Sequence, residues 1–457
     1  MTPSPEGENA TEVSARRILG LALPALGVLA AEPLYLLFDI AVVGRLGASA
    51  LAGLAVGGLI LAQVSVQLTF LSYGTTARAS RFHGADRDRD AVGEGVQATW
   101  LALGVGAVVL VAGQLLAGPV AALIAGDDGI ASAAVSWLRI ALFGAPLILV
   151  TLAGNGWMRG VQDTARPLRF VIAGLALSAV LCPILVHGLV GAPRWELVGS
   201  AVANVIGQAV SAALFLWALT RSGVPLRPQR AIIGAQVRLG RDLIARSLAF
   251  QACFLSAAAV AARFGAAAVA AHQVVLQLWN FVALTLDSLA IAAQALVGAA
   301  LGSADSAAAR RLAWRITAWS TIFAAALALV FLVGGDVIPG LFTADDAVLD
   351  QIGVAWWFFV AIMPLAGVVF ALDGVLLGAG DAAYLRTATL MCALLGFLPL
   401  IWCSLVWEWG LAGIWTGLTV FIVFRMVAVV GRTLSGRWVV TGPDRQVRSL
   451  DQAEAEG

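Results

Sequence analysis

Four acidic residues stand inside stretches that are otherwise almost wholly apolar: Glu32, Asp39, Asp287 and Asp373. A charged side chain at the centre of a membrane-spanning helix costs roughly 2.5–3.5 kcal/mol on insertion scales, so four together approach roughly 10 kcal/mol. Residues kept at that cost need partners, a wet cavity, or a proton they can take up and release; the last is the chemistry of ion-coupled transport. Glu32 and Asp39 are seven residues apart, two helical turns, and so share one face. Asp39 reads as the coupling carboxylate. Glu32 reads as its companion or, because it precedes Pro33, as an acceptor for donors around a local break in the helix. Asp287 and Asp373 are candidates for a cargo cavity, each weighed against a structural task, which for Asp373 its mate Asn155 suggests.

Neutral polar residues fill in that cavity: Gln63, Gln67, Thr69 and Tyr73, then Asn155, Asn204 and Gln208, and a stripe of His272, Gln273, Gln277 and Asn280. His272 reads first as a histidine bonded to a neighbouring carbonyl and second as a proton relay. Most tryptophans sit near the ends of apolar stretches, among them Trp137, Trp195, Trp407 and Trp409, and read as interfacial belts; Trp279 is the one that could face a ligand. Cys182, Cys253, Cys392 and Cys403 form no CxxC pair, so neither a disulfide nor a bound metal is expected.

The elements that must position these groups follow from composition. With 60% hydrophobic and 12% charged residues in 457, this is a membrane composition. A spanning helix needs about 20 mostly apolar residues. Twelve such stretches fall near 18–43, 50–77, 92–118, 130–158, 167–190, 196–220, 242–263, 268–298, 311–334, 347–378, 384–406 and 410–433. The fold class expected is an all-α membrane protein with twelve transmembrane helices in two pseudo-symmetric six-helix lobes. The polar opening Met1–Ala15 holds no apolar core, so span 1 is expected to act as the targeting element. A net charge of +1 offers nothing to nucleic acid.

Orientation is read from arginine, since none of the 28 basic residues is lysine. With the N-terminus inside, every arginine lies in an inner segment except Arg45, Arg139, Arg194 and Arg263. Outer loops carry acids instead, as at Asp127-Asp128 and Asp345-Asp346. The positive-inside rule therefore predicts both termini in the cytoplasm, in a multi-pass protein of the cell inner (plasma) membrane.

The chain also repeats itself. At an offset of 218, Arg45-Leu46-Gly47-Ala48 falls on Arg263-Phe264-Gly265-Ala266, and Gly84 on Gly302. Leu123, Asp127 and Asp128 fall on Leu341, Asp345 and Asp346; Pro146 on Pro364; Gly156, Gly160 and Asp163 on Gly374, Gly378 and Asp381. Six spans separate the mates, which predicts a parallel repeat about an axis along the membrane normal. The expected domains are a tail at 1–17, an N-lobe at 18–220, a cytoplasmic linker at 221–241 containing Pro225 and Pro228, a C-lobe at 242–433 and a tail at 434–457. Asp39 has no acidic mate, because position 257 is Ala257. Its role belongs to one lobe.

Pro24 followed by Glu32-Pro33-Leu34-Tyr35, Asp39 and Gly44-Arg45-Leu46-Gly47 resembles the first helix of the multidrug and toxic compound extrusion (MATE) family, in the branch named for the DNA-damage-inducible protein F. Arg159-Gly160-x-x-Asp163-Thr164, Ala270-Ala271-His272-Gln273, and Leu372-Asp373-Gly374 with Gly378-x-Gly380-Asp381 extend the resemblance over nearly the whole chain. It implies drug or metabolite efflux driven by protons or sodium, Asp39 as coupling residue and Pro24 as the bending point of helix 1. Sodium-linked members commonly carry Asn-x-x-x-Asp before a proline in helix 5; here the stretch is Ser178-Ala179-Val180-Leu181-Cys182-Pro183. Sodium wants several hard oxygen ligands and a proton needs one carboxylate, so the coupling ion expected is the proton.

The function expected is secondary active antiport: protons enter, and small organic compounds, cationic or amphipathic given the acidic cavity, leave. Sodium coupling of the same efflux is the first alternative. A flippase for lipid-linked saccharides, signalled by arginines in the cavity, is the second, and Arg139 is the residue placed to enter a span. No HExxH, GxSxG or paired catalytic motif points to an enzyme. No cofactor is expected beyond the coupling proton or sodium. The partners are the bilayer and a small-molecule substrate, and the expected working unit is a monomer.

Overall fold

The computed structural model describes residues 15–443. Every regular element in this range is helical. In chain order these are α1 (Ala15–Val43), α2 (Ala48–Leu68), α3 (Phe70–Gly84), α4 (Asp88–Ala125), α5 (Asp128–Ala141), α6 (Gly144–Gly160), α7 (Ala165–His187) and α8 (Glu196–Thr220). Then follow α9 (Arg230–Ala261), α10 (Ala266–Gly302), α11 (Ser306–Val333), α12 (Asp346–Gly378), α13 (Ala382–Cys392), α14 (Leu398–Val406) and α15 (Gly410–Leu434). Among the described residues eleven helical stretches are long and apolar enough to cross a membrane, α2–α3 and α13–α14 each counting as one, and the α5–α6 pair, bent by 47°, makes the twelfth. The all-α, twelve-span expectation is met. Several helices outrun their apolar cores: α4 extends past 92–118 on both sides, and α9 begins at Arg230, twelve residues before its apolar stretch. Polar end turns remain helical, and hydropathy alone does not see them.

The repeat has local physical causes. Asp127 caps α5 by accepting from the Ile130 amide at 3.0 Å, and its mate Asp345 caps α12 by accepting from Ala347 at 2.9 Å. Gly47 and Gly265 both take positive φ, 117° and 99°, as the chain leaves a short 3-10 turn and enters the next span. Gly156 and Gly160 bring α6 against α3, where a methyl group would strike Ser72 and Ala79. Gly374 and Gly378 do the same for α12, against the backbone of Ala290 and Gln294 on α10. This is the small-residue packing that drives helix association in lipid.

The chain forms two compact units. One comprises Ala25–Ala252 with Ala382–Leu390, and the other 15–24, Cys253–Asp381 and 391–443. They cut the chain differently from the expected lobes in three spans: α1 changes unit at Pro24, α9 at Ala252, and span 11 at Leu390. In the first unit, α6 packs on α3, α4 and α8, and α7 on α8. In the second, α12 packs on α10, α11 and α15.

Within the first unit the linker is sewn to α4. Gln97 brackets it, donating to the Arg227 carbonyl at 3.0 Å and accepting from the Gln229 amide at 2.7 Å. The Trp100 indole donates to the Leu226 carbonyl at 2.7 Å. One turn before Gln97, the buried Glu94 carboxylate takes both Nε and Nη2 of Arg78, at 2.8 and 2.7 Å, and Nε2 of Gln236 on α9 at 2.8 Å.

Candidate functional site

Asp39 and Tyr35 lie one turn apart on α1 and are both buried, with 2% and 5% of their surface exposed. Opposite them α7 presents Ser178 and Cys182, also one turn apart, so two turns of one helix meet two turns of the other. Ser178 Oγ donates to the Tyr35 hydroxyl at 2.7 Å, and the Cys182 thiol donates to Asp39 Oδ1 at 3.1 Å. The second carboxylate oxygen, Oδ2, accepts from Ser200 Oγ of α8 at 2.9 Å. Trp137 of α5 donates its indole N–H to Ser200 Oγ at 3.2 Å. An indole can only donate, so the serine hydrogen is left to point at the carboxylate. Asn204, one turn beyond Ser200, stands beside the Tyr35 hydroxyl. Apolar side chains close the surroundings, including Val42, Val43, Leu54, Leu138 and Val186.

Asp39 thus faces neutral donors only. Among the described residues no arginine or histidine pairs with it, whereas Glu94, Asp242, Asp373 and Asp381 all hold arginines. A lone carboxylate satisfied by an S–H and an O–H can exchange a proton without disturbing a cationic partner.

The other expected site residues are spread out. Glu32 shares the side of α1 that carries Asp39 but is exposed, since α7 and α8 cover Asp39 and not Glu32. Pro24 is half-buried at the point where α1 changes unit. Gln63 is exposed and bonded to Gln251; Gln67, Tyr73 and Gln208 are half-buried, and no hydrogen bond joins them to Asp39. Asn155 is buried in α6. Gln277 and Asn280 are exposed on α10 and bonded to each other, and Asp287 is half-buried. Asp373 is buried in an ion pair with Arg425. That pair revises the arginine ledger: Arg425 lies inside α15 and not in a cytoplasmic segment.

Three readings change with the structure. Trp137 is 3% exposed and bonded to Ser200, and its ring packs against Gly57, so it belongs to the site and not to an interfacial belt. Trp195, Trp407 and Trp409 are exposed, and Trp279 is buried. Neither ring nitrogen of His272 has a partner, so the expected carbonyl bond is not made; the ring stands edge-on to Trp415 with centroids 6.0 Å apart. Ser200 was not foreseen, because a lone serine in a span has the same sequence signature as a packing residue. Among the described residues no cluster of three histidine, cysteine or acidic side chains could hold a metal ion.

Twelve spans and an internal repeat make the frame of a polytopic secondary transporter. The MatE family model matches residues 24–184 and again 243–402, once in each half at the spacing of the repeat, and the chain belongs to this family. Protein DETOXIFICATION 44, chloroplastic, of Arabidopsis thaliana is 34% identical over 441 residues, covering 92% of this chain and 83% of the relative. DNA damage-inducible protein F of Escherichia coli is 30% identical over 429 residues, covering 92% of this chain and 90% of that one. Among solved structures, a MATE transporter in the bent conformation superposes with a TM-score of 0.83 at 20% identity over 96% of this chain and 97% of its own. That likeness carries the fold.

Proposed function

We propose that this transporter is a proton-driven antiporter of the inner (plasma) membrane, with both termini cytoplasmic, that exports small organic cations or amphipaths. Asp39 is the proton carrier. The observation that carries the reading is its pairing: a buried carboxylate held by two neutral donors and by no cation. The same geometry argues against sodium, because a thiol is a soft group and the hydrogens of Cys182 and Ser200 occupy the directions a hard cation would need. In the cycle, outward-facing protein protonates Asp39, α1 bends near Pro24, and cargo is expelled; inward-facing protein then releases the proton and rebinds cargo. Two solved relatives of the same fold are described as bent and straight conformations.

The proposed cargo-contacting set is acidic and amide in character: Glu32 and the polar residues of α2, α3 and α8 in the first unit, and Gln277, Asn280 and Asp287 in the second. Asp373 is set apart from it by Arg425. The flippase alternative gains no support, since Arg139 is exposed and Arg425 is occupied by Asp373. The experiment is dye efflux from proteoliposomes under imposed gradients. Efflux is expected to collapse with a protonophore and to persist when sodium is replaced by choline. Strict sodium dependence would overturn the coupling assignment.

A further inference from the structure

Span 11 is built unlike its mate in the first half. Span 5, α7, runs as one uninterrupted helix through Pro183 and lies wholly within one compact unit. Span 11 is α13, then a π-helical turn Ala393–Phe397, then α14, with Pro399 as the second residue of α14. Ala382–Leu390 groups with the first unit, and the flanking Asp381 and Met391 group with the second; Met391 lies two residues before the π turn.

Each arm of the span is anchored in its own unit. On the α13 side, Arg386 Nη1 binds Asp242 Oδ1 of α9 at 2.6 Å, and Asp242 is nearly buried. On the other side, Phe397 is buried edge-on against Phe421 of α15, with ring centroids 5.7 Å apart, and Gly396 lies against Phe424. The stretch between is weak in its backbone. A π turn replaces i→i+4 bonds with longer-range ones and occurs mostly as single turns at functional sites. Pro399 has no N–H, so the carbonyl of Leu395 lacks its ordinary helical donor. Met391, Leu394 and Leu395 are exposed, so the turn is packed on one face only, through Ala393, Gly396 and Phe397.

We infer that the π turn of span 11 is a flexing joint of the transport cycle, at which α13 and α14 bend against each other. It complements the bend at Pro24 and rests on the alternating cycle proposed above. α1 also changes unit at a helix-weakening residue, whereas α9 crosses at Ala252 with no break in its helix. Two of the three crossing spans thus carry a joint, and the third is a continuous rod.

The test is a reversible staple. In a Cys403→Ser background, where the remaining thiols are buried, Met391→Cys and Leu395→Cys place two exposed thiols one turn apart across the joint. Bridging them with a short bis-methanethiosulfonate should reduce ethidium efflux at least about tenfold, leave ethidium binding intact, and be relieved by reduction. The same bridge between Trp402→Cys and Val406→Cys, exposed on α14 beyond the joint, should leave efflux unchanged. Unaltered efflux in the first pair, or equal loss in the second, overturns the joint. A second readout needs no cargo and separates failure of the joint from failure of the efflux reading. Amide hydrogen exchange should be at least about tenfold faster over 393–398 than over 177–182 of α7, and equal protection of the two stretches refutes the inference.

Discussion

Replacing Asp39 with asparagine isolates the coupling step, and the structure sets the size of the effect. Asp39 is the carboxylate that α7 and α8 hold without a cation, so one proton per cycle is the expected stoichiometry. One pH unit across the membrane is worth 1.36 kcal/mol per proton, a factor of about ten. Exchange of one proton for one monovalent cation is electroneutral. Proteoliposomes under a one-unit gradient should therefore accumulate ethidium about tenfold, with or without a membrane potential. Two protons per cycle would give about a hundredfold, and a potential would then add about 2.3 kcal/mol per 100 mV for the extra charge. Asp39→Asn should accumulate none. The fold should survive, because the asparagine oxygen still accepts from one of Cys182 and Ser200, and the other can turn to accept from the new amide; losing one hydrogen bond to a charged group costs about 1.5–3 kcal/mol before that rearrangement offsets part of it. Asp39→Glu should retain partial activity. The reasoning fails if Asp39→Asn builds the wild-type gradient while Glu32→Gln or Asp287→Asn builds none.

The Asp373–Arg425 pair should behave as structure. Asp373→Asn or Arg425→Met alone leaves one buried charge and should destabilise the detergent-solubilised protein by about 3–5 kcal/mol in thermal unfolding, whereas the double replacement Asp373→Leu with Arg425→Met should recover most of that loss. A double variant no more stable than the singles would argue that the two charges do not act as a pair. Topology is checked with Arg221→Cys, an exposed position in the linker, which should react with a membrane-impermeant maleimide only after cells are opened. Labelling in intact cells would invert the proposed orientation.

The spans were legible because hydropathy over about 20 residues is a strong local signal, and the repeat because its glycines and aspartates do the same capping and close-packing work in both halves. Asp39 was legible as a charge in an apolar stretch without an acidic mate. Its partners were not. Ser200 is 161 residues away and Trp137 nearly 100, and nothing in either residue type says which helix faces will meet. Arg425 was misplaced for the same reason, since an arginine near the end of a span looks cytoplasmic until Asp373 is seen to hold it inward. The π turn left no mark in the composition of span 11, because it is a property of backbone hydrogen bonding.

The seam between the linker and α4 has a practical consequence. Connections between the halves of a repeat are the usual place to insert a fluorescent reporter or a protease site, on the assumption that they are slack. Here the backbone from Leu226 to Gln229 is gripped by Trp100 and Gln97, and Gln236 holds the start of α9 to Glu94. A reporter spliced into that stretch would pull out the stitches at the foot of α4. A tag for following this transporter belongs elsewhere, for instance in the turn between α11 and α12, around Gly335 to Val337, where among the described residues no side chain grips the backbone in this way.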